Sequence, residues 1–182
     1  MIRTATMRAL DPTAGAVRVE DVYDTDIDDL WDACTTPERL ARWIAQVSGD
    51  PQLDGSIEMT FTSAWTCTAR VEECDAPRHL LVSTSAPDGG EAAQIEAWLT
   101  PEGDRTRLVI EERGLPLAGL HFHGAGWQTH LEDLRRSLQL DGTAHPEGWS
   151  ATEPSPDWSR RSTELNPAYE AIAVSGPPAA SA

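Results

Sequence analysis

The stretch that decides the fold of this 182-residue chain is residues 123–138, which read HGAGWQTHLEDLRRSL. Trp127, Leu131, Leu134 and Leu138 recur there at the spacing of one helical face, which predicts a long amphipathic helix. In residues 53–112, which precede it, the hydrophobic period changes from that of a helix to two, which is typical of strands. A long helix laid across a curved antiparallel sheet can enclose a cavity, so this order of elements predicts an α+β fold with an internal pocket.

The strands are predicted from alternation and from the turns between them. Five strands follow Leu53, near residues 53–61, 65–72, 79–85, 92–99 and 105–112, and Pro- and Gly-containing turns separate them. Because these connections are short and contain no helix, we expect an antiparallel meander. The apolar face of the last two strands carries aliphatic side chains, so the concave face is expected to be almost free of ionisable groups.

Two short helices are predicted after a first strand at residues 17–23. Residues 25–34 show an apolar stripe at helical spacing, and Asp26 offers an N-cap. Residues 36–44 begin with Thr36 and Pro37, a cap and a first-turn proline. We therefore predict an N-terminal extension at 1–16 and a domain at 17–140. The Pro-rich residues 141–182 are expected to be a mobile tail, because few aliphatic side chains are available there to offset the ordering entropy.

Composition excludes several classes of function. The chain has 14 basic and 30 acidic residues, a formal charge of −16, which disfavours nucleic acid and anionic membrane surfaces as partners. All basic residues are Arg, so no Schiff-base lysine is available. Three cysteines without Cys-x-x-Cys spacing predict neither a disulfide framework nor a zinc knuckle. No signal-peptide-like run is present, and we expect the protein in the cytoplasm.

Four short sequence segments resemble one known family. Residues 22–43, 74–80, 106–108 and 124–127 are similar to proteins related to activators of the 90-kDa heat-shock chaperone ATPase. Those proteins belong to the START-like superfamily, also called SRPBCC, and the likeness covers about residues 17–140. The resemblance implies a helix-grip fold, a curved antiparallel sheet wrapped around a long C-terminal helix. It also implies a pocket, because members bind lipids, hormones or polyketides, or cyclise them, on one scaffold.

The predicted function is the binding of an apolar small molecule between the sheet and the C-terminal helix, without an intrinsic cofactor. The candidate ligand-binding residues are Trp43, Met59, Phe61, Trp65 and Trp127 for the wall and His121 and His123 for the entrance. A polyketide cyclase-like or hydrolase-like enzyme using the same cavity is the alternative, and a chaperone ATPase activator ranks third. The sequence leaves open whether the protein forms a homodimer.

No catalytic residue is assigned, because the inward strand faces are predicted to carry only neutral side chains. The histidines at 79, 121, 123 and 130 are the candidates for acid–base work if the protein is an enzyme. His121, His123 and His130 could supply three imidazoles to a metal, but no carboxylate or cysteine stands at ligand spacing beside them, so no metal site is predicted.

Overall fold

The computed structural model describes residues 3–87 and 92–176. Within these residues, eight strands form a single antiparallel sheet in the order β1-β2-β8-β7-β6-β5-β4-β3. The strands are β1 (Arg3–Ala9), β2 (Ala14–Tyr23), β3 (Ala45–Gly49), β4 (Ser56–Phe61), β5 (Thr66–Asp75), β6 (His79–Ser85), β7 (Ala93–Glu102) and β8 (Arg105–Pro116). The helices are α1 (Ile27–Thr35), α2 (Pro37–Leu40), α3 (Leu120–Leu140) and α4 (Pro156–Glu170), with a 3-10 turn at Leu117–Gly119. The predicted α+β helix-grip fold is confirmed, although the two short helices follow the second strand and not the first.

The inner face of the sheet is a continuous apolar surface because the strand registers place its aliphatic side chains side by side. Val82 faces Val71 on one neighbouring strand and Ile95 on the other, and Ile110 faces Ala97. Each strand therefore contributes every second side chain to the same face. This surface forms the floor beneath the helices.

Helices α1 and α2 form as their local signals predict. Asp26 caps α1 by accepting a 2.9 Å hydrogen bond from the Asp29 amide, which satisfies one of the unpaired N–H groups of the first turn. Pro37 is the first residue of α2, where its fixed φ suits the helix. The turn after α2 brings Trp43 inward, and its indole Nε1 donates to the Ala33 carbonyl at 2.9 Å.

Helix α3 is buried on two faces. The predicted apolar stripe is confirmed, since Trp127, Leu131 and Leu134 are buried and Leu138 is partly buried. A second face, which carries polar residues, is buried as well: His130, Asp133 and Ser137 are each less than 7% exposed. The segment after α3 covers this second face, so α3 lies between the sheet and the C-terminal part of the chain. None of the helices within the described residues is long and apolar enough to span a membrane.

The structure corrects the expected N-terminal extension. Residues 3–9 are β1, an edge strand paired with β2 along the register Met7↔Val17 and Ala9↔Gly15. Ala5 and Met7 are buried in the main core. The strand was missed because its inward side chains are few and two of its seven residues are Arg. Its stability comes from pairing with β2 and not from its own pattern.

The structure also corrects the expected mobile tail over its described part. Helix α4 packs along α3, and Tyr169 is only 1% exposed. The Arg161 guanidinium makes two hydrogen bonds to the Glu132 carboxylate at 2.6 and 2.9 Å. Further along, Ser175 bonds the backbone of β1 through Met7 and Ala9. Residues 177–182 lie outside the described residues.

Candidate functional site

The larger of two neighbouring chambers lies between the sheet and the α1–α2 pair. Its volume is about 430 Å³. The walls are α1 and α2, the turn at residues 43–44, the loop at residues 51–53, and the inner faces of β3 to β8. Helix α3 contributes Trp127 alone. The larger chamber is therefore placed against the short helices, and not between the sheet and the C-terminal helix as the sequence predicted.

The lining of the larger chamber is apolar and uncharged. Among the described residues that form it there is no Asp, Glu, His or Arg, and Thr35 and Gln52 supply the polar side chains. Two thiols, Cys34 and Cys74, also reach it. Burial raises the pKa of Cys34 to about 12, so this thiol stays protonated at neutral pH and is a poor nucleophile. The larger chamber therefore has an apolar wall in which the described residues place no carboxylate, imidazole or guanidinium group.

The smaller chamber, of about 310 Å³, lies over β8 beneath the first half of α3. Five aromatic side chains line it, namely Phe61, Trp65, Phe122, Trp127 and Trp158. Phe61, Ile95 and Trp127 also line the larger chamber, so these three form the boundary between the two. Trp158 comes from α4, within the segment that the sequence predicted to be a mobile tail.

Glu112 is the one carboxylate among the described residues that line the smaller chamber. Its side chain is 6% exposed. Its Oε2 accepts a 2.7 Å hydrogen bond from Trp127 Nε1 and lies 3.1 Å from His123 Nδ1. A carboxylate can only accept, so the His123 tautomer that makes this bond carries its proton on Nδ1. This inward carboxylate corrects the prediction that the inward strand faces carry only neutral side chains.

A sequence signal for Glu112 existed. Leu108 and Ile110 lie on the inner face of β8, and the same alternation places Glu112 there two residues later. Glu111 lies on the opposite face, where it pairs with Arg8 at 2.7 Å. The predicted strand ends at residue 112, so Glu112 is a terminal residue in that prediction and not part of the inner face. In the structure β8 continues to Pro116.

His130 also lines the smaller chamber, as a neutral ring. Burial, with a smaller contribution from nearby His145, lowers its pKa from 6.5 to about 3. Its ring lies 5.8 Å from Trp158 and 5.7 Å from Trp127, centroid to centroid. At neutral pH His130 therefore acts as another uncharged aromatic surface in this wall.

The structure divides the predicted site residues between the two chambers. Trp43 and Met59 line the larger one, while Trp65 and His123 line the smaller one. Phe61 and Trp127 line both. His121 lines neither: it lies in the first turn of α3, with its ring 4.0 Å from that of Phe122, centroid to centroid. Trp158 and Glu112 were not among the predicted residues.

One buried cluster of three side chains has the composition of a hydrolase triad, although among the described residues Asp133 Oδ2 makes no hydrogen bond and the hydrogen bond of His145 Nε2 goes to the Trp43 carbonyl. His145 Nδ1 lies 2.7 Å from Ser155 Oγ, and His145 Nε2 lies 3.2 Å from Asp133 Oδ2. The ring nitrogens are used in the reverse of the order found in serine hydrolases. Ser155 is only 1% exposed and also caps α4. A substrate carbonyl cannot approach this hydroxyl, so the three residues fasten the C-terminal segment to α3.

Metal ligation finds no support in the residues that the structure describes. Across residues 3–87 and 92–176, no three side chains of His, Cys, Asp or Glu converge at a place where they could hold an ion. His121, His123 and His130, the three imidazoles weighed from the sequence, are spread along α3.

Comparison with known proteins gives relatives of the same architecture. The crystal structure of CalU16 from Micromonospora echinospora matches with a TM-score of 0.70 and 25% identity, over 94% of this chain and 97% of that one. The solution structure of CalU16 matches with a TM-score of 0.72 and 28% identity, over 94% of each chain. DynU16, described as a putative protein in the dynemicin biosynthetic locus, matches with a TM-score of 0.66 and 24% identity. That match covers 71% of this chain and 49% of DynU16.

Sequence comparison assigns the family. No curated protein sequence matches the chain. The profile of the family described as "Activator of Hsp90 ATPase homolog 1-like protein" matches residues 24–139. This span runs from the residue after β2 to the last-but-one residue of α3 and covers more than half of the chain. The chain therefore belongs to the family of Activator of Hsp90 ATPase homolog 1-like proteins, on a START-like helix-grip scaffold.

Proposed function

We propose that this protein binds a neutral, mostly apolar small molecule in the larger chamber. The observation that carries the proposal is the combination of size and lining. About 430 Å³ is within the range of small-molecule sites, and no charged side chain is found among the described residues of the wall. A charged ligand would lose its hydration there without gaining a counter-ion, whereas an apolar ligand gains from burial.

We infer that the ligand enters the larger chamber beside the loop at residues 51–53. Leu53 lines the chamber and is 56% exposed, an unusual position for a large aliphatic side chain. An apolar ligand that passes this loop meets the thiol of Cys34 and the rings of Trp31 and Trp43. Thr35 and Gln52 can hydrogen-bond a hydroxyl or carbonyl group on the ligand and so fix its orientation.

Catalysis in the larger chamber is the less favoured alternative. A polyketide cyclase-like enzyme needs a group that moves a proton near the reacting carbon, and the described lining offers no carboxylate or imidazole for this role. DynU16 is named for a natural-product locus, which is a reason to include aromatic polyketides in the ligand panel.

The proposal is tested with a variant in which a larger side chain fills the larger chamber. Ala97 lies on the inner face of β7 between Leu80 and Ile110, so Ala97→Phe places a ring inside the larger chamber. Binding of fatty alcohols, sterols and neutral aromatic polyketides is followed by intrinsic Trp fluorescence, with product analysis by mass spectrometry. We expect Ala97→Phe to weaken binding of a hit by about tenfold or more, which corresponds to about 1.4 kcal/mol.

The matched control is Thr100→Phe. Thr100 lies on the same strand but on the outer, exposed face, so the added ring stays outside the chamber. This variant should bind as the wild type does. Equal affinity of the wild type and Ala97→Phe would contradict the proposal, and conversion of any compound by the wild type would favour the enzyme alternative.

A further inference from the structure

We propose that the smaller chamber is a second binding site, one for an organic ammonium ion, with Glu112 as the counter-ion and the surrounding aromatic rings as the walls. The ligand class is an alkyl or arylalkyl amine in its charged form, or a quaternary ammonium compound. The site differs from the larger chamber in both charge and composition.

The first argument is the state of the Glu112 carboxylate. Only one of its oxygens is held by the protein: Oε2 receives the hydrogen bonds from Trp127 and His123. Among the described residues, Oε1 accepts no hydrogen bond, and the only basic side chain within ion-pair distance is that of the half-buried His123. Buried carboxylates are normally paired with a cation, and no arginine among the described residues supplies one here.

The second argument is the aromatic wall. The ring of Phe61 lies 5.1 Å from that of Trp65 and 6.3 Å from that of His130, centroid to centroid. Through His130, these rings are connected to Trp127 and Trp158. The faces of such rings carry partial negative charge, and cages of aromatic rings are how proteins bind quaternary ammonium groups. His130 is neutral over the physiological range because burial lowers its pKa to about 3, so it does not repel a cation.

The third argument is access. Phe122 is 61% exposed and Trp65 is 39% exposed, and both line the smaller chamber. Large apolar side chains at the rim provide contact area to the apolar part of an incoming amine. The formal charge of −16 also raises the local concentration of cations around the protein.

The experiment uses two probes of the same shape. Benzyltrimethylammonium carries a positive charge, and neopentylbenzene is its neutral carbon isostere. Affinity for both is measured by quenching of Trp fluorescence in the full-length protein at physiological ionic strength. We expect the cation to bind about tenfold tighter than the isostere, a preference that corresponds to about 1.4 kcal/mol.

Two variants at adjacent residues test whether the preference for the cation over the isostere comes from Glu112. Glu112→Gln keeps an acceptor for Trp127 and removes the charge, so the cation should lose most of its advantage over the isostere. Glu111→Gln removes the same charge from the outer face of the same strand, where Glu111 pairs with Arg8. It should leave the preference unchanged, which separates a local counter-ion from the effect of net charge.

A further variant covers the case in which Glu112→Gln fails to fold. Trp65→Leu changes a partly exposed wall residue and should weaken binding of the cation more than binding of the isostere. Equal binding of the two probes by the wild type, absence of cation binding, or a preference unaffected by Glu112→Gln or by Trp65→Leu would each overturn the proposal. Because the neutral probe also suits the larger chamber, both probes are measured in the Ala97→Phe background as well, where the larger chamber is filled. The preference for the cation should persist there, which separates this test from the one on the larger chamber.

Discussion

The ring of Tyr169 lies directly against Gly124, so that α4 approaches α3 as closely as the backbone of α3 allows. A β-carbon placed on Gly124 would lie 2.5 Å from Cδ1 and 2.8 Å from Cε1 of that ring. The close contact between the two helices therefore depends on the missing side chain at position 124.

Gly124→Ala should destabilise the protein. In an exposed helix this change stabilises by about 1 kcal/mol, but here the added methyl group must displace a buried ring. Overpacking of this kind costs about 1–3 kcal/mol. Chemical denaturation of the variant should show this loss, and a gain in stability would contradict the helix contact.

Gly126→Ala is the matched control, two residues further along α3. Its added β-carbon would meet Trp158 Cζ2 at 3.5 Å, an ordinary contact distance. Here the helix propensity of Ala should decide the outcome, so we expect unchanged or higher stability, by up to about 1 kcal/mol.

Tyr169→Phe should destabilise without changing the packing of the ring. The hydroxyl accepts a 2.9 Å hydrogen bond from the Ala5 amide and donates a 2.6 Å bond to Gln128 Oε1. Removing it leaves a buried amide without its partner, which costs about 1–3 kcal/mol. Hydrogen exchange of the Ala5 amide should also become faster, and an unchanged exchange rate would refute the assigned bond.

A chain ending at Gly142 should lose cooperative unfolding or melt far below the full-length protein. It lacks Tyr169 and His145, and without the segment that carries them the polar face of α3 is exposed. Differential scanning calorimetry of the two chains makes the comparison. A melting temperature equal to that of the full-length chain would show instead that the C-terminal segment adds nothing to the stability of the domain.

The stability of the protein should fall below pH 6.5, in part through His130. The unfolded chain takes up a proton on this ring near pH 6.5, whereas the folded chain does so only near pH 3. Folding therefore excludes a proton over this window, and the free energy of unfolding decreases as the pH falls, by about 1.4 kcal/mol per pH unit.

His130→Gln removes this contribution. Between pH 7 and pH 5 its free energy of unfolding should change by about 2 kcal/mol less than that of the wild type. His121→Gln, at a residue of α3 outside both chambers, is the control and should keep the wild-type slope. Parallel pH profiles for the wild type and His130→Gln would be inconsistent with a buried neutral ring.

Arg135→Met should cost about 3–5 kcal/mol, because it removes a cation from beside a buried carboxylate. Arg135 lies 2.5 Å from Asp21, whose side chain is 1% exposed, and it also donates to the Val22 carbonyl. Arg160→Met is the comparison: the Arg160–Asp157 pair is largely exposed and should contribute less than about 1 kcal/mol. Similar losses in the two variants would contradict the burial argument.

The parts of the fold that could be predicted are those with strong local periodicity. Strand β6 has the predicted bounds of residues 79–85, and the apolar stripe of α3 is buried as its spacing indicates. Strand β3 and the edge strand β1 were missed, because short strands with few apolar residues form only through their neighbours. Helix α4 was missed because it is polar and contains Pro167, an unfavourable residue inside a helix.

The candidate site was harder to predict for a physical reason. Aromatic residues in the core and in a cavity wall have the same spacing along a strand, so Trp43 and Phe61 could be identified as buried but not assigned to a chamber. Glu112 was overlooked because a charged residue at the end of an alternating run resembles the end of the strand. Trp158 reaches the smaller chamber only through a tertiary contact between α3 and α4, for which the local sequence contains no signal.

The bond between the Ala5 amide and the Tyr169 hydroxyl has a consequence for synthesis on the ribosome. The two residues are separated by 164 positions in the chain, and Ser175 bonds to the same first strand slightly later. Strand β1 is made before the rest of the described sheet, yet it is among the last of these strands to acquire all its partners. Until α4 leaves the exit tunnel, the inner face of β1 and the polar face of α3 stay open to solvent and to other nascent chains.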